Sequence, residues 1–260
     1  YFTQLPEVAS RPRTQKIWQT LERWLFPKLK HTATVSPQIQ DAYEEQYGNR
    51  PLLIRNMPLY HERPEIDFDA RRQRKLLIYQ GNLQKNRGIQ LMLQTMPLLP
   101  DYELWLIGGG IYEKELHALA RDFGLSEPQV KFFGWLAMEE LPALTVQASI
   151  GLSLEDTESE HLRNILTNKF FDYIQARVPI LTYNGLVAQA AVLKQYQVGE
   201  LLHERTPEAL ADLIRQMTAD RGRYMRYINA MEPAAEALCW EQQNDTIRAL
   251  YGFENNRLHG

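Results

Sequence analysis

Cysteine is almost absent from this chain of 260 residues: the one thiol, Cys239, excludes an intramolecular disulfide and fits a reducing compartment. No apolar run approaches the roughly 18–20 residues needed to span a bilayer, and no charged-then-apolar leader of the secretory type is present. A cytoplasmic protein is the expectation. Excess charge is missing too. The formal net charge is −3, so no general nucleic-acid footprint is expected. No pair of the six histidines has ligand spacing, and neither a nucleophile elbow nor a phosphate-loop lysine motif occurs. Internal repeats and low-complexity tracts are lacking. The chain also opens on Tyr1, without methionine and in mid-pattern, so it is expected to be a piece of a longer protein.

What is present is ordinary globular composition, 44% apolar and 23% charged, arranged as a regular alternation. Residues 14–30 predict a helix from Ile17, Trp18, Leu21, Trp24 and Leu25 at helical spacing. A short strand is expected at 31–35, then a helix capped by Ser36 with Pro37 at its first position and ending near Gly48, then a strand at 51–55. Residues 58–74 are polar with two prolines and predict a linker. After it, strands are expected at 75–80, 102–107, 130–133, 150–154, 180–182 and 198–202. Helices are expected at 88–96, 112–123, 138–147, 167–176, 186–194 and 207–218, with two more at 221–238 and 241–251. Strands alternating with helices imply an α/β fold, a doubly wound parallel sheet with ligands beyond the carboxyl ends of its strands.

Four stretches follow those ends. In 81–88 (GNLQKNRG), Gly81 permits a tight turn, Gly88 opens a helix, and Arg87 or Lys85 can meet an anion; a solvated polar loop explains the same residues. Gly108–Gly110 lacks the third glycine and the later acidic residue of a dinucleotide fingerprint, so NAD is rejected in favour of a structural turn. Trp135, after Gly134, can lie beside a nucleobase or simply pack. The acidic run 155–160 (EDTESE) predicts a solvated loop, and Asp67-Phe68-Asp69 falls in the linker, so no metal is expected at either. The turn Leu166–Lys169 opens a helix whose amides and dipole converge on an anion. Lys169 adds a charge there, and Asp172, one turn on, can accept two hydrogen bonds from a ribose diol. The competing expectation is a helix capped by Thr167, with Lys169 and Asp172 exposed.

Six of these motifs, in order, resemble the retaining glycosyltransferases of the group-one type (family four), which have the two-domain GT-B fold. They are, along the chain, the strand with its Val-Ser end at 33–36, Tyr47-Gly48 with Asn56, Gly81 with Arg87-Gly88, the strand LWLIGGG at 104–110, VKFFG at 130–134, and NKFFDYIQARVPIL at 168–181. The resemblance covers nearly the whole chain. It implies that residues 1–70 are the end of an acceptor domain and a linker, 71–235 a Rossmann-like nucleotide-sugar-binding domain, and 236–260 a helix returning toward the acceptor domain.

The resemblance also implies roles. Arg87 and Lys169 would stabilise the departing diphosphate, and Asp172 would hold the ribose. Leu166, Thr167 and Asn168 would offer donors to sugar and phosphate, with Gly81 and Asn82 at the turn and Trp135 and Leu136 at the base. Asn164 takes the place of the first acidic residue of the family motif, Asn82 that of an arginine, and Arg177 that of a glycine. The donor implied is a UDP- or GDP-sugar and the acceptor a glycan or lipid-linked glycan, in polysaccharide synthesis, with no cofactor or metal. Residues 16–30, with basic side chains between Trp18, Trp24 and Phe26, also suit contact with an acidic membrane surface or packing within the acceptor domain. A nucleotide-binding or interaction module without catalysis is the alternative, favoured by Asn164.

Overall fold

The computed structural model describes residues 8, 10–157 and 160–251. The chain divides into two compact units, one drawn from residues up to Met57 and from Trp240 onward, the other Pro58–Cys239. The first unit begins with α1 (Pro12–Leu25), β1 (Ala33–Thr34), α2 (Pro37–Tyr47) and β2 (Leu52–Leu53). β1 and β2 pair in parallel, Ala33 opposite Leu52. Proline fits the first turn of α2, where its missing N–H has no helical partner to lose, and Gly48 ends the helix in a left-handed conformation at φ 74°. Ser36 stands at the cap position, but its hydroxyl donates to Gln38 Oε1 at 2.6 Å instead of capping an amide. None of α1 is buried; Ile17, Trp18 and Trp24 are exposed. Among the described residues no helix is long and apolar enough to cross a membrane.

The second unit runs α3 (Phe68–Arg74), β3 (Leu76–Gln80), α4 (Ile89–Thr95), β4 (Glu103–Ile107), α5 (Glu113–Asp122), β5 (Val130–Gly134), α6 (Leu141–Thr145), β6 (Ile150–Ser153), α7 (Glu160–Arg163), α8 (Asn168–Gln175), β7 (Ile180–Tyr183), α9 (Val187–Tyr196), β8 (Gly199–Leu202), α10 (Pro207–Ala219) and α11 (Arg221–Ala237). The last helix, α12 (Asn244–Tyr251), belongs to the first unit. All neighbouring strands of the large sheet are parallel, in the order β5-β4-β3-β6-β7-β8. The central strands β3 and β6 are buried along their whole length, as expected when helices cover both faces. The chain starts at β3, winds outward to β5, then crosses to β6 and winds the other way. That reversal puts the switch point between β3 and β6.

The expected linker at 58–74 is corrected over its last third. Asp67 caps α3, its Oδ1 accepting from the amides of Asp69 (2.9 Å) and Ala70 (3.1 Å). The acidic pair is therefore a helix cap, with Asp69 bonded to Arg72 at 2.8 Å. Phe68 packs with Tyr224 and Ile228 of α11. Arg71 is buried, and its guanidinium reaches Tyr224 Oη (3.1 Å) and the carbonyls of Ala176 (3.2 Å) and Val146 (3.3 Å). Those carbonyls lie at or just past the ends of α8 and α6, where backbone oxygens lack helical partners. A polar sequence thus becomes structure by capping its neighbours. The compact units divide after Met57 and after Cys239.

Earlier still, the irregular residues are tied down. The His61 amide donates to Gln175 Oε1 at 2.9 Å, and Arg177 Nη1 donates to the His61 carbonyl at 2.8 Å. Arg177 is fully buried and left-handed at φ 54°, a conformation that costs a non-glycine residue about 1 kcal/mol or more. Its pairing with Glu232 (3.2 Å) and its bonds to the His61 and Gln175 carbonyls offset that cost.

Candidate functional site

The loops that leave β3 and β6 are pressed together at the switch point. Gly88, at φ 73°, has no room for a side chain: an added Cβ would stand 2.0 Å from the Leu154 carbonyl oxygen. Beside it the Asp156 amide donates to the Asn86 carbonyl at 3.0 Å. The β4 loop is held equally close, because a Cβ on Gly108 would lie 2.0 Å from the Gly81 oxygen. The glycine triplet is the structural turn expected from its spacing. Asn82 is exposed near it, its Oδ1 2.5 Å from where a Cβ on Gly110 would sit.

The turn Lys85–Arg87 and the start of α8 face this crevice with unmet hydrogen-bonding capacity. Asn86 Oδ1, Arg87 Nε and Thr167 Oγ1 are buried atoms with no partner among the described residues. The expectation that Thr167 caps α8 with its side chain fails; the residue is extended, and its hydroxyl makes no cap bond. Leaving such groups unpaired costs about 1–3 kcal/mol each, a cost that a bound polar partner would recover. The Arg87 charge is near enough to Lys169 to act with burial in lowering its pKa, and near enough to Tyr79 to oppose the rise that burial and Glu155 impose there.

Lys169 is buried, not exposed as a simple capped helix would have it. Its ammonium pairs with Glu155 and lies 4.6 Å from the centroid of the Tyr79 ring. Glu155 is wholly buried as well, which corrects the expected solvated loop at its first residue; residues 158 and 159 of that stretch lie outside the described residues. Ser153 Oγ (2.9 Å) and Gln189 Nε2 (3.5 Å) donate to Glu155 Oε2, and Thr182 Oγ1 donates to Gln189 Oε1 (2.7 Å). Burial weighs against both charges. On Glu155 the lysine and the hydrogen bonds outweigh it, leaving the carboxyl below its usual range. On Lys169 burial wins over Glu155, with Arg87 acting the same way, and its pKa is lowered.

Arg205, which the sequence did not single out, clamps the β6 loop. It bonds the Glu155 carbonyl (2.8 Å), the Leu154 carbonyl (3.1 Å) and Asp156 Oδ1 (2.6 Å), with its guanidinium 4.9 Å from the Tyr183 ring. Its place after a parallel strand, at the carboxyl end of β8, was the available signal.

Asp172 faces a different wall. Gln80 Nε2 donates to its Oδ2 at 2.9 Å, and both line a cavity of about 80 Å³ with His61, Met138, Leu141 and Thr145. Burial raises its pKa to about 6, against the opposing bond from Gln80. Its folded pKa exceeds its unfolded one, so stability present below the unfolded value is lost as pH rises through about 6. Asp172→Asn keeps the Gln80 bond and removes that loss. Relative to the parent, the variant is expected to gain about 2 kcal/mol between pH 4 and pH 8 in denaturant titrations. Parallel pH profiles for the two proteins would refute this.

Trp135 is 70% exposed and stands against the β4 turn, where a Cβ on Gly109 would come within 2.5 Å of its Nε1. Leu136, Asn164 and Leu166 are half-buried and Asn168 is exposed at the first position of α8. The structure thus groups Arg87, Thr167 and Lys169 at the switch point, puts Asp172 behind Gln80, and leaves Trp135 on the third loop.

Residues 62–232, more than half of the chain, match the family described as glycosyl transferases group 1. The chain belongs to that family. Within group 1 glycosyl transferases, a stretch of 74 residues is 31% identical to the lipopolysaccharide core biosynthesis glycosyltransferase LpsE of Rhizobium meliloti (strain 1021), covering 28% of this chain and 21% of LpsE. The fold is that of Anabaena HepE, solved with UDP and glucose, at a TM-score of 0.70 and 17% identity over 88% of this chain and 66% of HepE. It is also that of WaaG, a glycosyltransferase involved in lipopolysaccharide biosynthesis, at a TM-score of 0.64 and 16% identity over 85% of this chain and 62% of WaaG. The α/β fold with a parallel six-stranded sheet, as in these GT-B enzymes, is the one expected from the sequence. The chain spans no more than about two thirds of any of these relatives.

Proposed function

We propose that the crevice at the switch point binds a nucleotide-sugar, and that the chain supplies the donor half of a transferase acting on a hydroxyl of a glycan or lipid-linked glycan. In this reading a UDP- or GDP-sugar gives up its sugar with retention, in the synthesis of cell-surface polysaccharide or glycoconjugate on the cytoplasmic side of the membrane. The observation that carries it is the set of buried, unpartnered polar atoms on Asn86, Arg87 and Thr167 at the switch point.

Breaking the bond from the sugar to the diphosphate leaves growing negative charge on the departing oxygens. Arg87 and the N-terminal amides of α8 are the groups here that can take it up, with no metal required. Lys169, held by Glu155, lends its charge from beneath and fixes the helix that offers those amides. Asp172, once ionised, would accept the ribose hydroxyls.

Calorimetry with UDP, GDP and ADP, then with their sugars, tests the assignment. One nucleoside diphosphate is expected to saturate the 260-residue chain, more tightly at pH 7.5 than at pH 5.5, because the raised pKa of Asp172 leaves it protonated at the lower pH. No saturable heat with any of the three sinks the proposal. The isolated chain is expected to transfer little or no sugar.

A further inference from the structure

The open edge of the large sheet carries a second cavity, of about 390 Å³, two strands away from β6. That volume lies in the range of small-molecule sites. Its walls are edge strand β8, the last turn of α9 and the first turns of α11, contributing Lys194, Glu200, His203, Arg223, Arg226 and Tyr227. Glu200 is the one carboxylate among the lining residues, and it is already neutralised: Arg223 Nη2 lies 2.6 Å from it and the Tyr227 hydroxyl also donates to it. Arg223 Nε is turned to Tyr227 Oη at 2.7 Å. Lys194, His203 and Arg226 are exposed and have no ion pair among the described residues.

The placement of the arginines of α11 is unfavourable by itself. Arg221, Arg223 and Arg226 stand in the first turns of α11, which holds no acidic residue in its first turn beyond the cap Asp220. The positive end of a helix dipole repels cations there. An anion in the cavity would satisfy the dipole, Arg226, Lys194 and His203 together.

We propose that this cavity binds an oxyanion, phosphate or carboxylate, carried on a body the size of a sugar, at a site separate from the nucleotide crevice. The test is NMR titration of the 260-residue chain with glucose 6-phosphate, glucuronate and neutral glucose. Saturable shifts of the Leu201, His203 and Arg226 amides are expected with one or both anions and none with glucose. A response to the phosphate alone, the uronate alone or both supports the site and names its anion. Lys194→Ala with Arg226→Ala is expected to weaken binding tenfold or more with Tm unchanged, since both side chains are exposed, while Arg226→Lys retains it. Arg87→Ala leaves this binding intact, and the double variant leaves UDP binding intact, so the two sites succeed or fail independently. An equal response to glucose, no saturation, or an unchanged titration in the double variant overturns the proposal.

Discussion

Lys169→Ala is expected to cost about 3–5 kcal/mol of folding stability, the usual consequence of leaving a buried charge without its partner. Glu155 would remain wholly buried, its oxygens held among the described residues by Ser153, Gln189 and its own backbone amide but by no cation. Domains of this kind are stable by about 5–15 kcal/mol, so the variant folds, with little margin. Removing both charges, as Glu155→Gln with Lys169→Met, should recover most of the loss, because desolvation no longer has to be offset by attraction. Denaturant titrations of the parent, Glu155→Gln, Lys169→Met and the double variant give the coupling directly. A loss below about 1 kcal/mol in Lys169→Ala would show that the ammonium is not the main support of Glu155.

Arg87→Ala is expected to do the opposite: leave the fold alone and weaken nucleoside diphosphate binding by about 10- to 100-fold, the equivalent of losing one or two charge-assisted hydrogen bonds. The Arg87 side chain has no ion pair among the described residues, so its removal strands nothing, and Tm should move by a degree or two. The same calorimetry that measures UDP decides it. Equal affinity in parent and variant would remove Arg87 from the diphosphate site. Together the two substitutions separate a cation that supports the crevice from one that faces into it.

The architecture was legible because every strand of the sheet is a short apolar run bounded by glycine, proline or polar residues, as in LLIYQ and ELWLI. Topology then puts each loop after a strand on one side of the sheet. What escaped was polar chemistry that lies inside. Glu155 opens an acidic run that reads as solvent-facing, and its partner is fourteen residues on, in another element. One clue was α8 itself: Phe170, Phe171, Tyr173 and Ile174 make one broad apolar face beside Lys169, and a helix so patterned buries that face. A lysine drawn in with that face must be paired. Arg71 hid in the same way among RRQRK, since nothing in that run tells which arginine turns inward.

The lacing of His61 has a meaning in time as well as in space. Irregular chain usually exchanges its amide hydrogens rapidly with solvent. Here the His61 amide is bonded to Gln175, whose own Nε2 is held by the carbonyls of Ala235 (2.9 Å) and Leu238 (3.2 Å). That hydrogen is expected to leave slowly while the end of α8 stays on α11. A protected amide in a stretch without helix or strand would therefore report the opening of the helix that carries Lys169 and Asp172.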